Sequence, residues 1–185
     1  MKKLLITGFC LILCIGLMGC SAHREASVSS GRLSSHNGNR ADPIPISQTA
    51  AFDGMHTTYD RFKIELTMTQ VIRGADALAA VKEANRMNKD PAKGKEYILM
   101  QFHVKVLKSA DQTPVQLNNA MFKLVSRNGV TYDTVPAVAG LTPAFSALYL
   151  GEEGDGMVYG SIDEGDMPTV VFLSRHDNGT WFRIQ

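Results

Sequence analysis

The densest run of chemically competent side chains lies between Gly151 and Asp166, where Glu152, Glu153, Asp155, Asp163, Glu164 and Asp166 stand among glycines without one basic residue. Hard cations such as calcium collect several oxygen ligands, so Glu152, Glu153 and Asp155 are the residues to hold one. No Asp-x-Asp-x-Asp-Gly loop is present, however. A strand expected over residues 157–162 would set the two acidic clusters at its opposite ends, at about 3.3 Å per residue. One ion could not join them, and these spacings favour solvated turns flanking a strand. Five histidines, His23, His36, His56, His103 and His176, are scattered, and no two share the i, i+4 spacing of a helical zinc site. His103 falls on the outward face of an alternating run, and His176 beside Asp177 falls at a turn. Serines, histidines and acids suited to a triad exist, but no Gly-x-Ser-x-Gly elbow surrounds any of them. A cleft joining His103 or His176 to an acid and a serine would mark an extracytoplasmic hydrolase, because a triad is spatial. Neither a phosphate-binding glycine loop nor a dinucleotide fingerprint is present, so no cofactor and no catalytic residue are assigned.

The remaining reactive residues are three cysteines. Lys2 and Lys3 precede an apolar run from Leu4 to Met18 broken only by Thr7, Gly8 and Gly16, and no acid appears before Glu25, which is the order of a secretory signal. About 15 apolar residues fall short of the roughly 20 that a helix needs to cross a bilayer, so cleavage is expected rather than a transmembrane span. At the junction, Leu17, Met18, Gly19 and Cys20 resemble the lipobox of bacterial lipoproteins, which implies a diacylglyceryl thioether on Cys20 and a cut just before it. Residues 1–19 are then a leader and Cys20 is the lipid-bearing N-terminus. Several acyl chains on one residue give durable attachment, each buried methylene contributing about 0.8 kcal/mol. Cys10 and Cys14 lie in the leader, so the mature chain keeps no thiol, disulfide or thiolate metal site. Its stability must come from a hydrophobic core.

With 19 basic and 18 acidic residues, the charge offers no footprint for nucleic acid and no polybasic patch for a membrane. The membrane partner is expected to be reached through the lipid on Cys20. The location is then the extracytoplasmic face of the cell membrane, or the outer membrane in a cell with two, which Ser21 after the cysteine would permit. Residues 20–50 read as the lipidated cysteine and a flexible tether, rich in Ser, Asn, Gly, Arg and His without helical or strand period. Pro43 and Pro45 alternate with Ile44 and Ile46, either as an extended lead-in or as a segment paired at a sheet edge, where proline is tolerated. Residues 51–185 form the folded domain.

The elements that must position any site are mostly strands. In residues 61–68, Phe62, Ile64, Leu66 and Met68 alternate with polar residues, the period of a half-buried strand. Residues 96–107 place Ile98, Met100, Phe102, Val104 and Val106 on one face, and their length suits a central strand. Phe122 and Leu124 lead to Asn128 and Gly129, a hairpin signal, before Val130 and Tyr132 resume. Strands follow over residues 157–162, 169–174 and 180–184, the last two joined by Asp177, Asn178 and Gly179. Trp181 and Phe182 are expected to seal the core. Good helix formers before Pro91 predict one short helix over residues 75–90, crossing one end of the sheets. Many short strands and one helix give a mostly β, antiparallel sandwich or barrel.

Three groups of residues carry a resemblance: Gly94, Glu96, Tyr97 and Ile98 opening a long strand; Phe122 and Leu124 before Asn128, Gly129 and Tyr132; Leu150, Gly151 and Glu152 ahead of Gly160. In that order, over residues 62–173, the chain resembles a family of secreted or lipid-anchored bacterial domains of unknown function related to a mycobacterial secreted immunoprotective antigen. The resemblance implies an immunoglobulin-like β-sandwich and supplies no catalytic residue. Leu107, Lys108 and Ser109 stand where that family commonly carries an asparagine.

Together these features favour a membrane-anchored, non-enzymatic binding or accessory module whose partner is an envelope protein or surface ligand. The alternatives are a cation or small-ligand binder using the acidic turns, or the hydrolase. Residues 135–150, long and apolar for a connection, offer Phe145 and Tyr149 as partner contacts. The alternative is that Leu141, Phe145 and Leu148 pack inward.

Overall fold

The computed structural model describes residues 33–36, 38–55, 61–110, 113–173 and 179–185. The leader, Cys20, His23, His56, His176, Asp177 and Asn178 lie outside the described residues. No described helix is long and apolar enough to cross a membrane.

Among the described residues nine strands and one α-helix follow in order: β1 Thr49–Met55, β2 Arg61–Arg73, α1 Gly74–Ala84, β3 Lys95–Lys108, β4 Val115–Gln116, β5 Phe122–Val125, β6 Ala147–Leu148, β7 Glu153–Asp163, β8 Thr169–Phe172 and β9 Thr180–Arg183. All strand pairs are antiparallel, in a four-stranded sheet β1-β2-β3-β7, a three-stranded sheet β5-β8-β9 and a small pair β4-β6. The larger sheets face each other across one apolar core. This is the antiparallel β-sandwich with a single helix, divided four and three as in an immunoglobulin constant-type domain. Alternation fills the core: Phe62, Ile64, Leu66 and Met68 from β2 and Ile98, Met100, Phe102, Val104 and Val106 from β3 meet Phe122, Leu124, Val170, Phe172 and Phe182. The Phe102 ring lies 4.9 Å from Phe122 and 5.3 Å from Phe182, tying the two layers together.

β2 runs five residues beyond the stretch expected from alternation. A bulge between Met68 and Gln70 shifts the phase, so Val71 turns to the core and Ile72 to the opposite face. On that opposite face Tyr97 and Leu99 are also buried, because α1 lies over them through Ala77 and Val81. The helix thus lies over part of the sheet's outer face, around Tyr97 and Leu99, rather than crossing an end of the sandwich. It also stops at Ala84, short of the expected residue 90. Asn85 is already extended, and the buried Asn88 carboxamide donates to Val81 O at 2.8 Å, drawing the following chain away from the helix axis.

Two further expectations are corrected. The tether does not extend to Ala50: from Leu33 onward the chain packs on the sandwich. Ile44 is 2 % exposed, donates its N–H to Trp181 O at 2.8 Å and accepts from Arg183 N–H at 2.9 Å. Pro43 and Pro45 are accommodated because Ile44 between them supplies the hydrogen bonds, as an edge allows. Trp181 does not seal the core, since successive strand residues face opposite ways. Phe182 points in, and Trp181 lies half-buried outside with the Arg40 guanidinium 5.6 Å from its ring centroid.

Candidate functional site

The β3–β7 ladder runs from Lys95 opposite Asp163 to Lys105 opposite Glu153, so it carries one acidic cluster at each end. At the Lys95 end the surface opens into a cleft of about 1040 Å³. Its walls are the loop after α1 and the chain that leaves the Gly129 turn. The turn is closed by Ser126 N–H donating to Val130 O at 2.8 Å, with φ +83° at Gly129. One rung returns, Tyr132 N–H to Leu124 O at 2.8 Å, and the chain then departs as the second wall.

The floor is polar and tied. Lys95 Nζ lies 2.6 Å from Asp163 Oδ1 and 5.1 Å from the Tyr132 ring centroid. The Tyr132 hydroxyl donates to Asp166 Oδ2 at 2.7 Å and lies 3.2 Å from Asp163 Oδ2, while accepting from the Asp163 N–H at 3.3 Å. Tyr97 donates to Lys89 O at 2.9 Å, and Asn88 binds Ala139 through both its carbonyl and its N–H at 2.9 Å, so the two walls are joined by side chains. The lips are apolar: Met87 is 85 % exposed, Val130 67 % and Val135 47 %.

Protonation follows from these contacts. Burial and the hydrogen bond to Asp166 hold the Tyr132 hydroxyl well above the ordinary tyrosine range. Burial likewise pushes Tyr97 up. The Lys95 hydrogen bond keeps the Asp163 carboxyl below the usual carboxylate range. For Asp166 burial works upward, but hydrogen bonds from Tyr132 and from the N–H groups of Met167 and Arg127 outweigh it and the carboxyl stays low. Each of these four groups moves away from neutrality, the opposite of what general acid–base catalysis asks for. The arrangement offers a bilipped apolar opening over a fixed charge pattern, which suits binding.

At the other end of the ladder stand the residues singled out as metal ligands, and the structure does not bring them together on one point. Glu152 accepts from the Tyr149 N–H at 2.8 Å, stabilising its own turn. Glu153 lies 3.7 Å from Lys105 Nζ and 3.9 Å from His103 Nε2, and Asp155 lies 2.9 Å from His103 Nδ1. Among the described residues no group of three or more His, Cys, Asp or Glu could hold a metal ion. His103 is on the outward face, with Thr67 and Asp155 as its cross-strand neighbours. The Thr67 hydroxyl is already bonded to Thr49 Oγ1 at 2.8 Å, and no serine hydroxyl among the described residues bonds His103.

Of the two proposed partner contacts, Phe145 is corrected. Its ring stacks on Phe122 at 5.9 Å and 9°, over Gly156, where a Cβ would lie 2.1 Å from the ring. Glycine at 156 leaves the space that draws Phe145 inward, and Leu148 joins it in the core. Tyr149 remains at the surface, 51 % exposed. Lys95 and Asn88, which help build the cleft, carry no signal of a site in the sequence, and Tyr132 reads there only as a strand residue and as part of the resemblance. The crowd of acids at residues 163–166 without a local base was the available sign that donors must arrive from elsewhere in the chain.

No known protein family matches the chain, and no curated protein does. Among solved structures, the chain is similar to a Bacillus subtilis protein, ycdA, assigned as a lipoprotein, with 12 % identity and a TM-score of 0.47 over 66 % of this chain. It spans about a third of that protein, 36 % of its length. It is also similar to MPT63, a secreted protein of Mycobacterium tuberculosis, with 9 % identity and a TM-score of 0.46, covering 76 % of this chain and 97 % of that one.

Proposed function

We propose that this chain is an extracytoplasmic, non-enzymatic binding module, anchored to the cell membrane by lipid on Cys20, that engages an envelope component through the cleft between residues 87–92 and 130–137. The cleft carries the reading. Its lips expose three large apolar side chains around a floor whose charges are locked in ion pairs and hydrogen bonds. Such a floor orients a ligand without reacting with it. The leader and the Cys20 junction support the location. Tethering raises the local concentration of the domain near its neighbours, so a shallow contact suffices.

The test places a photo-crosslinking residue at Val135 or at the exposed Gln70 in intact cells. A neighbour captured reproducibly from Val135 and not from Gln70 is expected. Equal capture from both positions, or none from Val135, would reject the cleft as the binding site. Mass spectrometry of the native protein checks the anchor separately: an intact leader or an unmodified sulfur at Cys20 removes it.

A further inference from the structure

We infer that the ligand of the cleft is an extended polypeptide segment, whose backbone pairs with the open edge of β7 at Ser161. The inference rests on the binding role proposed above and names the chemistry of what is bound. β7 is the last strand of its sheet, with β3 on one side only. Successive residues of an antiparallel strand turn their N–H and C=O groups to opposite sides. In β7 the odd-numbered residues turn theirs away from β3, because Met157, Tyr159 and Asp163 all donate to groups outside it.

That edge is closed rung by rung, with one gap. Met157 N–H donates to Pro143 O at 2.8 Å. Tyr159 donates its N–H to Asn119 Oδ1 at 2.9 Å and accepts from Asn119 Nδ2 at 3.2 Å, so one carboxamide serves both of its backbone groups. Asp163 N–H donates to the Tyr132 hydroxyl at 3.3 Å. Between them stands Ser161, about 7 Å along the strand from Tyr159. Neither its N–H nor its C=O has a partner on this side among the described residues, and the residue is half-buried on the wall of the cleft. An unpaired edge of this kind is a template for another chain, and strand addition is a recurring way of holding a peptide.

The neighbouring rungs show what fits the gap. A peptide carbonyl covers Met157 and a carboxamide covers Tyr159, so the groups already seated beside Ser161 are amides. A ligand for Ser161 must likewise offer a carbonyl oxygen and an N–H side by side, as every non-proline residue of an extended chain does. The adjacent charges, Lys95 and Asp163, pair with each other, which favours a neutral backbone over an ionic group. Residues 133–138 pass beside the gap, where Thr134 and Val135 share a narrow slot with Ser161. They make no hydrogen bond among the described residues, so an incoming strand displaces them without breaking one. The Asn119 and Tyr132 caps limit the pairing to a single rung, and further affinity must come from side chains against Met87, Val130 and Val135 at the lips.

The probe is a bead-bound library of acetylated, amidated heptapeptides with randomised side chains, screened with the native protein; retained sequences are remeasured in solution. Ser161→Pro removes the outward N–H and no bond to β3, as an edge permits, and should weaken binding about tenfold. N-methylation of the peptide should weaken it comparably at one central position and not at the ends. If Ser161→Pro fails to fold by circular dichroism, the N-methylated series decides. The Ser161 amide should exchange freely in the unliganded protein and slow several-fold with peptide. The inference is overturned by a library that yields no binder, by binding indifferent to N-methylation, or by a Ser161 amide already protected without peptide, as when residues 133–138 close on it. Any of these together with continued capture from Val135 in cells would leave the cleft a site for a ligand that is not a peptide. Loss of that capture as well would remove the binding role itself.

Discussion

The two ends of the β3–β7 ladder carry the same residue types and are built in different ways. At the Glu153 end, acids and bases face one another across adjacent strands, and the backbone ladder alone sets Asp155 beside His103 and Glu153 beside Lys105. At the Asp163 end, the partners arrive on loops. Tyr132 reaches the acids from 31 and 34 residues away, and the walls above are joined by Asn88 and Tyr97. The first arrangement leaves a flat polar surface; the second holds a cleft open. An acidic cluster therefore reports nothing about function until its donors are known. Donors borne by loops make a concavity, and donors borne by neighbouring strands do not.

If that difference is real, cutting the loop ties must damage one end and spare the other. Asn88→Ala has the largest expected effect. It leaves both polar groups of Ala139 without their side-chain partner at a site where Asn88 itself is 6 % exposed. The carboxamide makes three hydrogen bonds, to Val81 O, to Ala139 O and from Ala139 N–H, each contributing about 1 kcal/mol net, so a loss of about 3 kcal/mol is expected. The melting temperature should fall by roughly 10 °C. Hydrogen exchange resolves where the damage lies: amides around residues 85–92 and 135–140 should exchange faster, and those of β3 near His103 should keep their relative protection. Equal loosening at both ends would show that the cleft is not a separately tied region.

Tyr132→Phe comes next, at about 1–2 kcal/mol, since it removes one hydroxyl that serves both Asp163 and Asp166. Its pH dependence sharpens the contrast. Asp163 and Asp166 titrate below their unfolded values, so their contribution is complete above about pH 4 and is lost as pH falls through the lowered folded values. Tyr132 titrates above its unfolded value, so its contribution holds below about pH 10 and is lost as pH rises through the raised one. The variant should therefore narrow its gap from the parent at both extremes and show the full gap between them. Denaturant unfolding at a series of pH values checks this, and a gap that does not change with pH would refute the assigned hydrogen bonds.

The ladder was far more legible in the sequence than the cleft. Alternation over residues 96–107 predicts a central strand because both β2 and β7 require its inward face to be apolar, and the structure gives Lys95–Lys108. β1 escaped because its small residues Ala50, Ala51 and Gly54 dilute the period, and β4 and β6 because two residues carry none. The helix end was misplaced because propensity cannot register a tertiary competitor such as Asn88. Tyr132 looked like one more strand residue, for the acids it serves are adjacent only after β7 has paired with β3. Phe145 looked available because the room it fills is made by the glycine at 156, eleven residues on.

The smallest expected effect lies at the Glu153 end. Asp155→Asn removes the carboxylate 2.9 Å from His103, yet both partners sit on an outer sheet face, with Asp155 41 % exposed. Water and salt screen such a pair, and exposed pairs contribute about 1 kcal/mol or less. The β3–β7 backbone register does not depend on the pair, so Lys105 stays opposite Glu153 and the fold is retained. Thermal unfolding should shift by no more than about 3 °C, and added salt should shrink the difference further. A larger, salt-insensitive loss would mean that His103 and Asp155 are held as tightly as the Tyr132 cluster, and the contrast between a ladder-built end and a loop-built end would fail.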